Sequence, residues 1–370
     1  MAKAKFVETG GNSFFGTYIY DQIVPHDHFF RKLNEIIDWQ TFTKKLLKLY
    51  RGGGEYGRPP FDPALILKML LVAYLYDISE RQVEDYINYY LPAKYFLGIA
   101  VDQQAPDHST LSKFKKRLID NQNLVKFEEL LAEIVSQALE TGVAFGSIQI
   151  MDSVHSVANV NTGKDEGRKG KGAGPHDPDA KWGVKHTRKV KDEEGKTHQQ
   201  REYFYGYKAH TSLNAENGLI TSVVVTPGNA YDGHRLPELL EQDLAHGVRF
   251  DTVAADRGYD DGNNHFLLQS KGLHSAIRLN DYRTQKKDKN KQVWFELLAT
   301  PEYQQGCKER YKIERKFGEA KQSHGLGRCR YVSLSRFWLQ AILTAIALNL
   351  KRLVNILCGV RFKNGTLAAA

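Results

Sequence analysis

The periodicity of the chain changes near Phe145, and this change constrains the fold more than any other feature. Before Phe145, apolar residues recur at three- and four-residue spacing, which is the pattern of amphipathic helices. After it, short β-branched and aromatic runs end at turn residues, as strands do. These runs are GSIQIMD, YFYGYKAHTSL, LITSVVVTPG and RFDTVAADRG.

Helical patterns alternate with the later strands, as in HRLPELLEQDLAHG and NNHFLLQSKG. This order predicts a mixed sheet flanked by helices. The expected fold class is therefore mixed α/β, with an all-α N-terminal domain at residues 1–140, an α/β domain at 145–357 and a tail at 358–370. The long apolar segment SRFWLQAILTAIALNLKRLVNIL is expected to form a helix in the core or at a subunit interface.

Three helical segments in the N-terminal part have the order of a helix-turn-helix: DPALILKMLLVAYLYD, SERQVEDYINYY and DHSTLSKFKKRLID. Ser79 and Gln82 have capping-box spacing, which predicts that a helix starts there. Basic side chains on the third segment suit a helix that reads DNA. The same pattern fits a helical bundle with a solvated basic face, and the sequence leaves both interpretations open.

The overall charge points to a polyanionic partner. The formal net charge is +9 and the sequence pI is about 9.1, which makes nucleic acid the first partner to consider. Three cysteines without a CxxC pair fit a reduced, cytoplasmic protein rather than a disulfide framework or a zinc site. The most apolar runs, Ala64–Tyr76 and Trp338–Leu350, are shorter than a membrane span, so no membrane association is expected.

The segment at residues 161–201 fits neither the helical nor the strand pattern. It contains 11 Lys/Arg, 7 Asp/Glu and seven Gly, with almost no aliphatic side chains. Such a composition cannot bury enough apolar surface to order itself. The sequence therefore predicts a flexible basic insertion between the first two strands, which either wraps a phosphate backbone or forms a solvated loop.

Two aspartates follow apolar runs directly: Asp152 comes after SIQIM, and Asp256 comes after TVAA. Each is expected at the end of a buried strand, where ligand crevices of open α/β sheets lie. Asp near Gly is also a common turn residue. Either aspartate alone fits a turn as well as a ligand site.

A third carboxylate, Glu314, lies in the segment ERYKIERKFGEAK. If this segment is helical, Arg310, Glu314 and Lys321 span an arc of about 40° on one face. Glu319 then lies roughly 140° away from Glu314. The simplest interpretation of Arg310 and Glu314 is a solvated salt bridge worth a few tenths of a kcal/mol.

Together the three carboxylates suggest a metal site. Asp152, Asp256 and Glu314 on separate elements could share two Mg²⁺ ions, because hard cations prefer oxygen ligands. Two such ions about 4 Å apart stabilise the attacking and leaving oxygens of a phosphoryl displacement. The region from Pro301 to Leu353 carries 11 Lys/Arg and 4 Asp/Glu, so positive charge that can hold DNA surrounds the third carboxylate.

Asp152, Asp256 and Glu314, in this order, resemble the Asp-Asp-Glu (DDE) triad of bacterial insertion-sequence transposases, in the large superfamily that includes insertion sequences four and five. Further stretches resemble motifs of that family, and the resemblance covers about residues 15 to 355. These stretches are FDPALILKMLLVAYLYDISERQVEDYI, PDHSTLSKFKKRL, YFYGYKAH, VTPGNAYD, ADRGYDD and IERKFGEAKQSHGLGRCRY.

The superfamily signature around the Glu is Tyr, two residues, Arg, three residues, Glu, six residues, Lys. Arg310, Glu314 and Lys321 match this spacing, whereas Cys307 stands at the Tyr position. By this resemblance, Arg310 and Lys321 contact DNA phosphates near the cut bond or orient Glu314. Arg315 and Lys316 belong to the same DNA-holding rim.

The resemblance implies a ribonuclease-H-like catalytic domain that cleaves DNA and transfers strands with two Mg²⁺ ions, for which Mn²⁺ is expected to substitute. Asp152 and Asp256 would be ligands of the metal ions, with Asp152 bridging both, and Glu314 would complete the shell of the second ion. His155, Asp232 and His210 fit either a supporting shell or a structural role. Trp294 fits a core position or a surface on which an unstacked base rests.

Three functions remain open from the residues alone. They are a transposase acting on the terminal inverted repeats of its own element, a ribonuclease-H-like nuclease that cleaves without joining, and a DNA-binding protein without catalysis. The intact acidic triad argues against the third. The resemblance favours the first, with double-stranded DNA as partner, a homodimer on paired ends and a bacterial cytoplasmic, nucleoid-associated location.

Overall fold

The structure is a computed structural model, which describes residues 6–10, 14–50, 59–169, 174–191, 197–285, 289 and 291–362. The chain forms two compact units: one comprises Met1–Val143 and Ile342–Ala370, and the other comprises Ala144–Ala341. The predicted division fell at residues 140–145, close to this boundary. It differs at the C-terminal end, because residues 342–357 were assigned to the α/β domain and instead group with the helical unit.

The described N-terminal part of the first unit is helical. Its helices are α1 (Phe14–Ile23), α2 (Phe29–Ile36), α3 (Trp39–Leu46), α4 (Pro63–Leu75), α5 (Glu80–Tyr89), α6 (Leu91–Leu97), α7 (His108–Asp120) and α8 (Phe127–Glu140). Helix α5 starts with the predicted capping box, in which Ser79 and Gln82 satisfy each other's backbone N–H groups. Apart from Lys68, helix α4 is apolar and buried, which makes it the centre of this unit.

Helix α7 exposes a basic face, as the sequence predicted for the third helical segment. Lys113, Lys116 and Arg117 are exposed, while its apolar side chains are buried. An ion pair between Lys115 and Glu80 ties α7 to α5. The short helix α6, which sequence periodicity did not predict, separates these two helices. A DNA-reading role for α7 stays a prediction.

A mixed six-stranded sheet forms the second unit, and the predicted mixed α/β class is confirmed. Its strands are β1 (Ile148–Val157), β2 (Lys181–Lys191), β3 (Thr197–Asn214), β4 (Ile220–Pro227), β5 (Thr252–Ala255) and β6 (His274–Ile277). The order is β2-β3-β1-β5-β6, with β4 also paired to β3. Pairs β1–β3, β2–β3 and β3–β4 are antiparallel, whereas β1–β5 and β5–β6 are parallel.

Helices of the second unit connect and cover these strands. They are α9 (Thr162–Lys169), α10 (Leu236–Ala245), α11 (Gly262–Ser270), α12 (Lys291–Ala299), α13 (Pro301–Glu309) and α14 (Tyr311–Ser323). Helix α13 lies directly on β5 and β6, because Gly306 faces Ala254 and Ala276 so closely that a Cβ at Gly306 would collide with Ala276. This contact fixes the distance between α13 and the sheet. Helix α14 follows α13 almost without interruption, so its start is positioned by the same contact.

The prediction of an unstructured insertion at residues 161–201 is wrong for the described part of that segment. Helix α9, strand β2 and the start of β3 lie in it, and β2 pairs with β3 from Lys181↔Gly206 to Lys191↔Thr197. Composition failed as a guide because backbone pairing along an edge strand satisfies N–H and C=O groups without an apolar core.

One helix, α15 (Leu334–Cys358), is long and apolar enough by length and composition to cross a membrane. It is longer than the apolar run that the sequence suggested. Within its most apolar window, 67% is buried inside the protein, which is typical of a core helix. The role of a core helix was one of the two that the sequence predicted.

Asp243 on α10 is a fully buried carboxylate that makes stability depend on pH. Its Oδ2 accepts hydrogen bonds from Ser212 and Gln149, while its Oδ1 has no partner among the described residues. Burial raises the pKa of Asp243 to about 6, against the opposing effect of these hydrogen bonds.

Because the pKa of Asp243 is higher in the folded than in the unfolded chain, its ionisation penalises the folded state. The stability that it contributes is present below pH 3.8 and is lost as pH rises through about 6. We expect Asp243→Asn to remove about 2 kcal/mol of the fall in unfolding free energy between pH 4 and pH 7. Urea unfolding at both pH values measures this. The exposed Asp251→Asn should leave the profile unchanged, and equal profiles for wild type and Asp243→Asn would contradict the prediction.

Candidate active site

Two carboxylates lie side by side at the carboxyl end of β5. The parallel register of β1 and β5 ends with Met151↔Ala255, and the next residues are Asp152 and Asp256. Neighbouring strands are about 4.8 Å apart, so the two aspartates emerge as adjacent groups. Asp256 stands at a strand end as predicted, whereas the prediction for Asp152 is wrong. Strand β1 continues five residues beyond it, to Val157, because β3 pairs with β1 past the point where β5 stops.

Both aspartates are in an environment that penalises negative charge. Burial, and after it the charge of Asp256, raises the pKa of Asp152 to about 7, against a hydrogen bond from the Ser153 backbone N–H (2.7 Å). Burial also raises the pKa of Asp256, although the Gly258 N–H (2.8 Å) and Arg310 favour its charged form. A pair of half-buried acids that repel each other is a setting in which a divalent cation stabilises both charges.

Arg310 connects Glu314 with the two aspartates. Its Nη2 donates to Glu314 Oε1 at 2.9 Å, which is the i,i+4 pair that the sequence predicted. The positive charge of Arg310 also lowers the pKa of both Asp152 and Asp256. The Arg310 side chain is 15% exposed and that of Glu314 is 60% exposed. Glu314 therefore stands at the solvent side of the guanidinium, and the aspartates lie within its electrostatic reach.

Arg310 Nη1 is buried and has no hydrogen-bond partner among the described residues. An unsatisfied buried N–H costs about 1–3 kcal/mol. A guanidinium with one arm on Glu314 and one arm free is prepared to bind an additional anion.

The three carboxylates do not converge on a single point. Among the described residues, one group of three potential ligands has all its atoms within 4.8 Å of one another, and it is Glu84, Asp107 and His108 of the helical unit. There, Glu84 Oε2 accepts hydrogen bonds from the backbone N (2.8 Å) and Nδ1 (2.9 Å) of His108, which explains the cluster as a link between α5 and α7. Asp152, Asp256 and Glu314 do not form such a group within 4.8 Å among the described residues.

The basic residues predicted beside Glu314 have different surroundings. Arg315 is exposed, and Lys316 Nζ bonds Glu319 Oε2 at 3.3 Å. Lys321 is half-buried, and burial together with the charge of Lys185 lowers its pKa. The hydrogen bonds and ion pairs found in the described part of the chain include none between Lys321 and Glu314.

Cys307, at the signature's Tyr position, points to the sheet rather than to the carboxylates. It packs on a hydrophobic cluster that includes Tyr303 and Trp294, and its Sγ lies 3.9 Å from the Ala276 carbonyl oxygen. Trp294 is buried in this cluster, so the prediction of a core tryptophan is confirmed.

Sequence reasoning missed two groups near the aspartates. Tyr259 is fully buried, and burial followed by the charges of Asp152, Asp232 and Asp256 raises its pKa, so its hydroxyl stays protonated. Lys208 Nζ donates to Asp232 Oδ1 at 2.8 Å. The sequence does contain a signal for Lys208. Lys208 and His210 are two residues apart in a strand and therefore share a face of β3, and His210 is buried beside Tyr259.

His155 and Gly258 complete the surroundings of the site. The His155 ring packs 4.9 Å from that of Phe204, which fits a structural role. At Gly258 a Cβ would lie 3.0 Å from Asp256 Oδ1 and 3.7 Å from Asp232 Oδ2, so the missing side chain leaves space between these two carboxylates.

Comparison with known families identifies the chain. Residues 165–350, half of the chain, match the model of the Transposase DDE domain, and residues 18–117 match that of a Transposase domain (DUF772). The chain belongs to the DDE transposase family. Its α/β unit contains the DDE domain, and the resemblance to DDE transposases seen in the sequence is confirmed. The matched range contains Asp256 and Glu314 and begins after Asp152.

Two solved structures are similar to this transposase. One is the Mos1 transposase paired-end complex with left transposon end, at 9% identity and a TM-score of 0.19, covering 73% of this chain and 80% of that chain. The other is the Mos1 mariner paired end complex with Mn, at 12% identity and a TM-score of 0.19, covering 79% of this chain and 88% of that chain.

Proposed function

We propose that this DNA transposase cleaves the terminal inverted repeats of its own insertion sequence and joins the freed 3′ ends to target DNA, with Asp152, Asp256 and Glu314 as catalytic carboxylates. The observation that carries the proposal is the adjacent placement of two half-buried aspartates beside a guanidinium that binds Glu314. Such a set of charges has no evident structural purpose, because burial disfavours it.

The donor set fits divalent cations, and Mg²⁺ is the ion expected in the cell. Asp152, Asp256 and Glu314 offer hard oxygen ligands, and a bound cation would offset the penalty that burial places on the charges of the two aspartates. When bound, the ions would stabilise the attacking and leaving oxygens of an in-line displacement at phosphorus.

The chain's own groups bind and orient the DNA. Arg310 holds Glu314 with one arm and offers Nη1 to a non-bridging phosphate oxygen. Tyr259 is fully buried within electrostatic reach of both aspartates and adds no charge to the site. Lys321, Arg315 and Lys316 then serve as phosphate contacts along α14.

Cutting two ends of an element calls for two active sites, which makes a homodimer on paired double-stranded ends the expected assembly. A bacterial transposase of this kind works on the nucleoid, in the cytoplasm. The exposed basic face of α7 supplies a second place for DNA, in keeping with the predicted recognition role of the helical unit.

The test of this function is a strand-transfer assay. We expect wild-type protein, given a duplex with the element's terminal repeat, a plasmid target and Mg²⁺ or Mn²⁺, to yield both cleaved ends and insertion products. Chelation with EDTA should abolish both reactions, since the carboxylates cannot act alone. Cleavage without joined products would contradict the transposase mechanism and indicate a nuclease.

A further inference from the structure

Strands β2 and β3 extend beyond the rest of the sheet as a two-stranded ribbon, defined here as residues 181–191 and 197–206. Strand β3 pairs with β1 only from Gly206 onward and with β4 only from Tyr207 onward. Among the described strands, β2 is therefore the sole neighbour of residues 197–205. A two-stranded ribbon has the width that the DNA major groove accepts.

One face of the ribbon carries exposed apolar side chains. Trp182 and Tyr203 are each 55% exposed, and Val184 is 44% exposed. Val184 pairs with Tyr203 and Trp182 pairs with Tyr205, so all four share a face, and the rings of Trp182 and Tyr205 lie 5.4 Å apart. Single exposed apolar residues are ordinary, but an adjacent row of them marks an interaction surface.

The opposite face of the ribbon is covered at Gly183 and Phe204. Gly183 and Phe204 pack against Gly228, where a Cβ on Gly183 would collide with the Gly228 carbonyl oxygen. The exposed row is thus the face on which a partner can still bind.

Charge identifies the partner. Strand β2 contains five Lys/Arg and no Asp/Glu. Lys185 lies at a β-bulge and forms an ion pair with Glu202 at 2.6 Å. Its ammonium also repels that of the half-buried Lys321, on the helix that carries Glu314. A phosphate backbone neutralises this basic strand, whereas a second copy of the same strand adds like charge.

We propose that the exposed face of the ribbon is a duplex-DNA contact surface: Trp182, Val184 and Tyr203 pack in a groove, while Lys185 holds a backbone phosphate. The proposal rests on the DNA function above and adds to it a contact surface on β2 and β3. The apolar row supplies contact area, and the phosphate contact sets the position of the duplex.

The test measures duplex binding by the full-length protein in EDTA, where no cleavage occurs, over a range of salt concentrations. We expect Trp182→Ala to weaken binding about tenfold. Lys185→Gln should weaken binding and reduce the slope of log K against log[salt] by about 1. Glu202→Gln, which releases Lys185 from its ion pair, should strengthen binding at least about twofold. Phe266→Ala, which removes a 71% exposed aromatic on α11, is the matched control and should bind as wild type does.

Two results would overturn the proposal. Wild-type affinity and salt slope for both Trp182→Ala and Lys185→Gln would exclude the ribbon from the DNA interface. A change of oligomeric state in Trp182→Ala by sedimentation without DNA, at unchanged DNA affinity, would assign the row to a protein interface instead. If wild type binds the duplex but does not cleave it in Mg²⁺, the proposed function fails while the binding series still decides on the ribbon. If wild type binds no DNA, both fail.

Discussion

Replacing Asp152 or Asp256 with Asn is expected to reduce metal-dependent DNA cleavage by at least about 10³-fold, because several kcal/mol of transition-state stabilisation depend on ligand charge. Asn keeps the shape of the side chain and removes only that charge. DNA affinity in EDTA should stay within about twofold of wild type, since neither carboxylate adds attraction for a phosphate backbone. Cleavage of an end-labelled duplex at saturating metal and a binding titration measure the two effects.

Stability provides an independent readout of the same variants. Burial raises the pKa of both aspartates, so the folded protein is penalised for their charge near neutral pH. Neutral Asn removes this penalty, and the unfolding midpoint should be unchanged or higher. Ionisation of the two aspartates is thus expected to lower the stability of the fold and to enable activity, which is the usual trade-off at a functional site.

Asp261→Asn is the matched control for these two variants. It lies in the same motif as Asp256, caps α11 through its side chain and keeps that cap as Asn. Its cleavage rate should stay near that of wild type. Wild-type cleavage by Asp152→Asn or Asp256→Asn would remove that residue from the active site.

The position of Asp256 was predictable because Asp-Arg-Gly, a turn sequence, directly follows the four apolar residues of the buried strand and ends it. The position of Asp152 was not, because SIQIMDSVHSV continues as a strand after the acid. Which of two strands ends first depends on their partners: β5 stops at Ala255, whereas β1 continues along β3. Local sequence carries no information about this non-local pairing.

Backbone pairing also explains why strand β2 was not predicted from the sequence. Its residues KWGVKHTRKVK are mostly polar and basic, and composition alone assigns them to a solvated segment. An edge strand needs only one apolar neighbour on one face, which Phe204 and Gly228 provide for Gly183. The helical spacing of Arg310 and Glu314, by contrast, depends on neighbours four residues apart, and the sequence predicted their pairing correctly.

What the spacing could not show is how unequally Arg310 and Glu314 are exposed. A surface salt bridge has two solvated partners, but here the arginine is largely buried near the aspartates and the glutamate faces solvent. The difference arises because α13 is held close to the sheet at Gly306, which brings the residue after its C-terminal end down to the carboxylates. This asymmetry turns an ordinary i,i+4 pair into a candidate catalytic element.

Glu314→Gln is expected to reduce cleavage by at least about 10³-fold, whereas Glu319→Gln should stay within about threefold of wild type. Glu314 bonds Arg310, whose charge also acts on the two aspartates, while Glu319 bonds Lys316 on the same helix. Both are helix-surface glutamates paired to a cation, so both substitutions should change the unfolding free energy by only a few tenths of a kcal/mol.

Comparing Glu314→Gln with Glu319→Gln therefore distinguishes a loss of catalysis from a loss of stability. If Glu314 is only a surface partner of Arg310, cleavage by Glu314→Gln will resemble that of Glu319→Gln, and the proposed triad loses its third member. If Glu319→Gln is inactive and Glu314→Gln is active, the carboxylate that completes the site lies about one turn further along α14. Single-turnover cleavage rates at saturating Mg²⁺, with urea unfolding of the same preparations, decide between these cases, because a role limited to the salt bridge cannot produce a large loss of rate at unchanged stability.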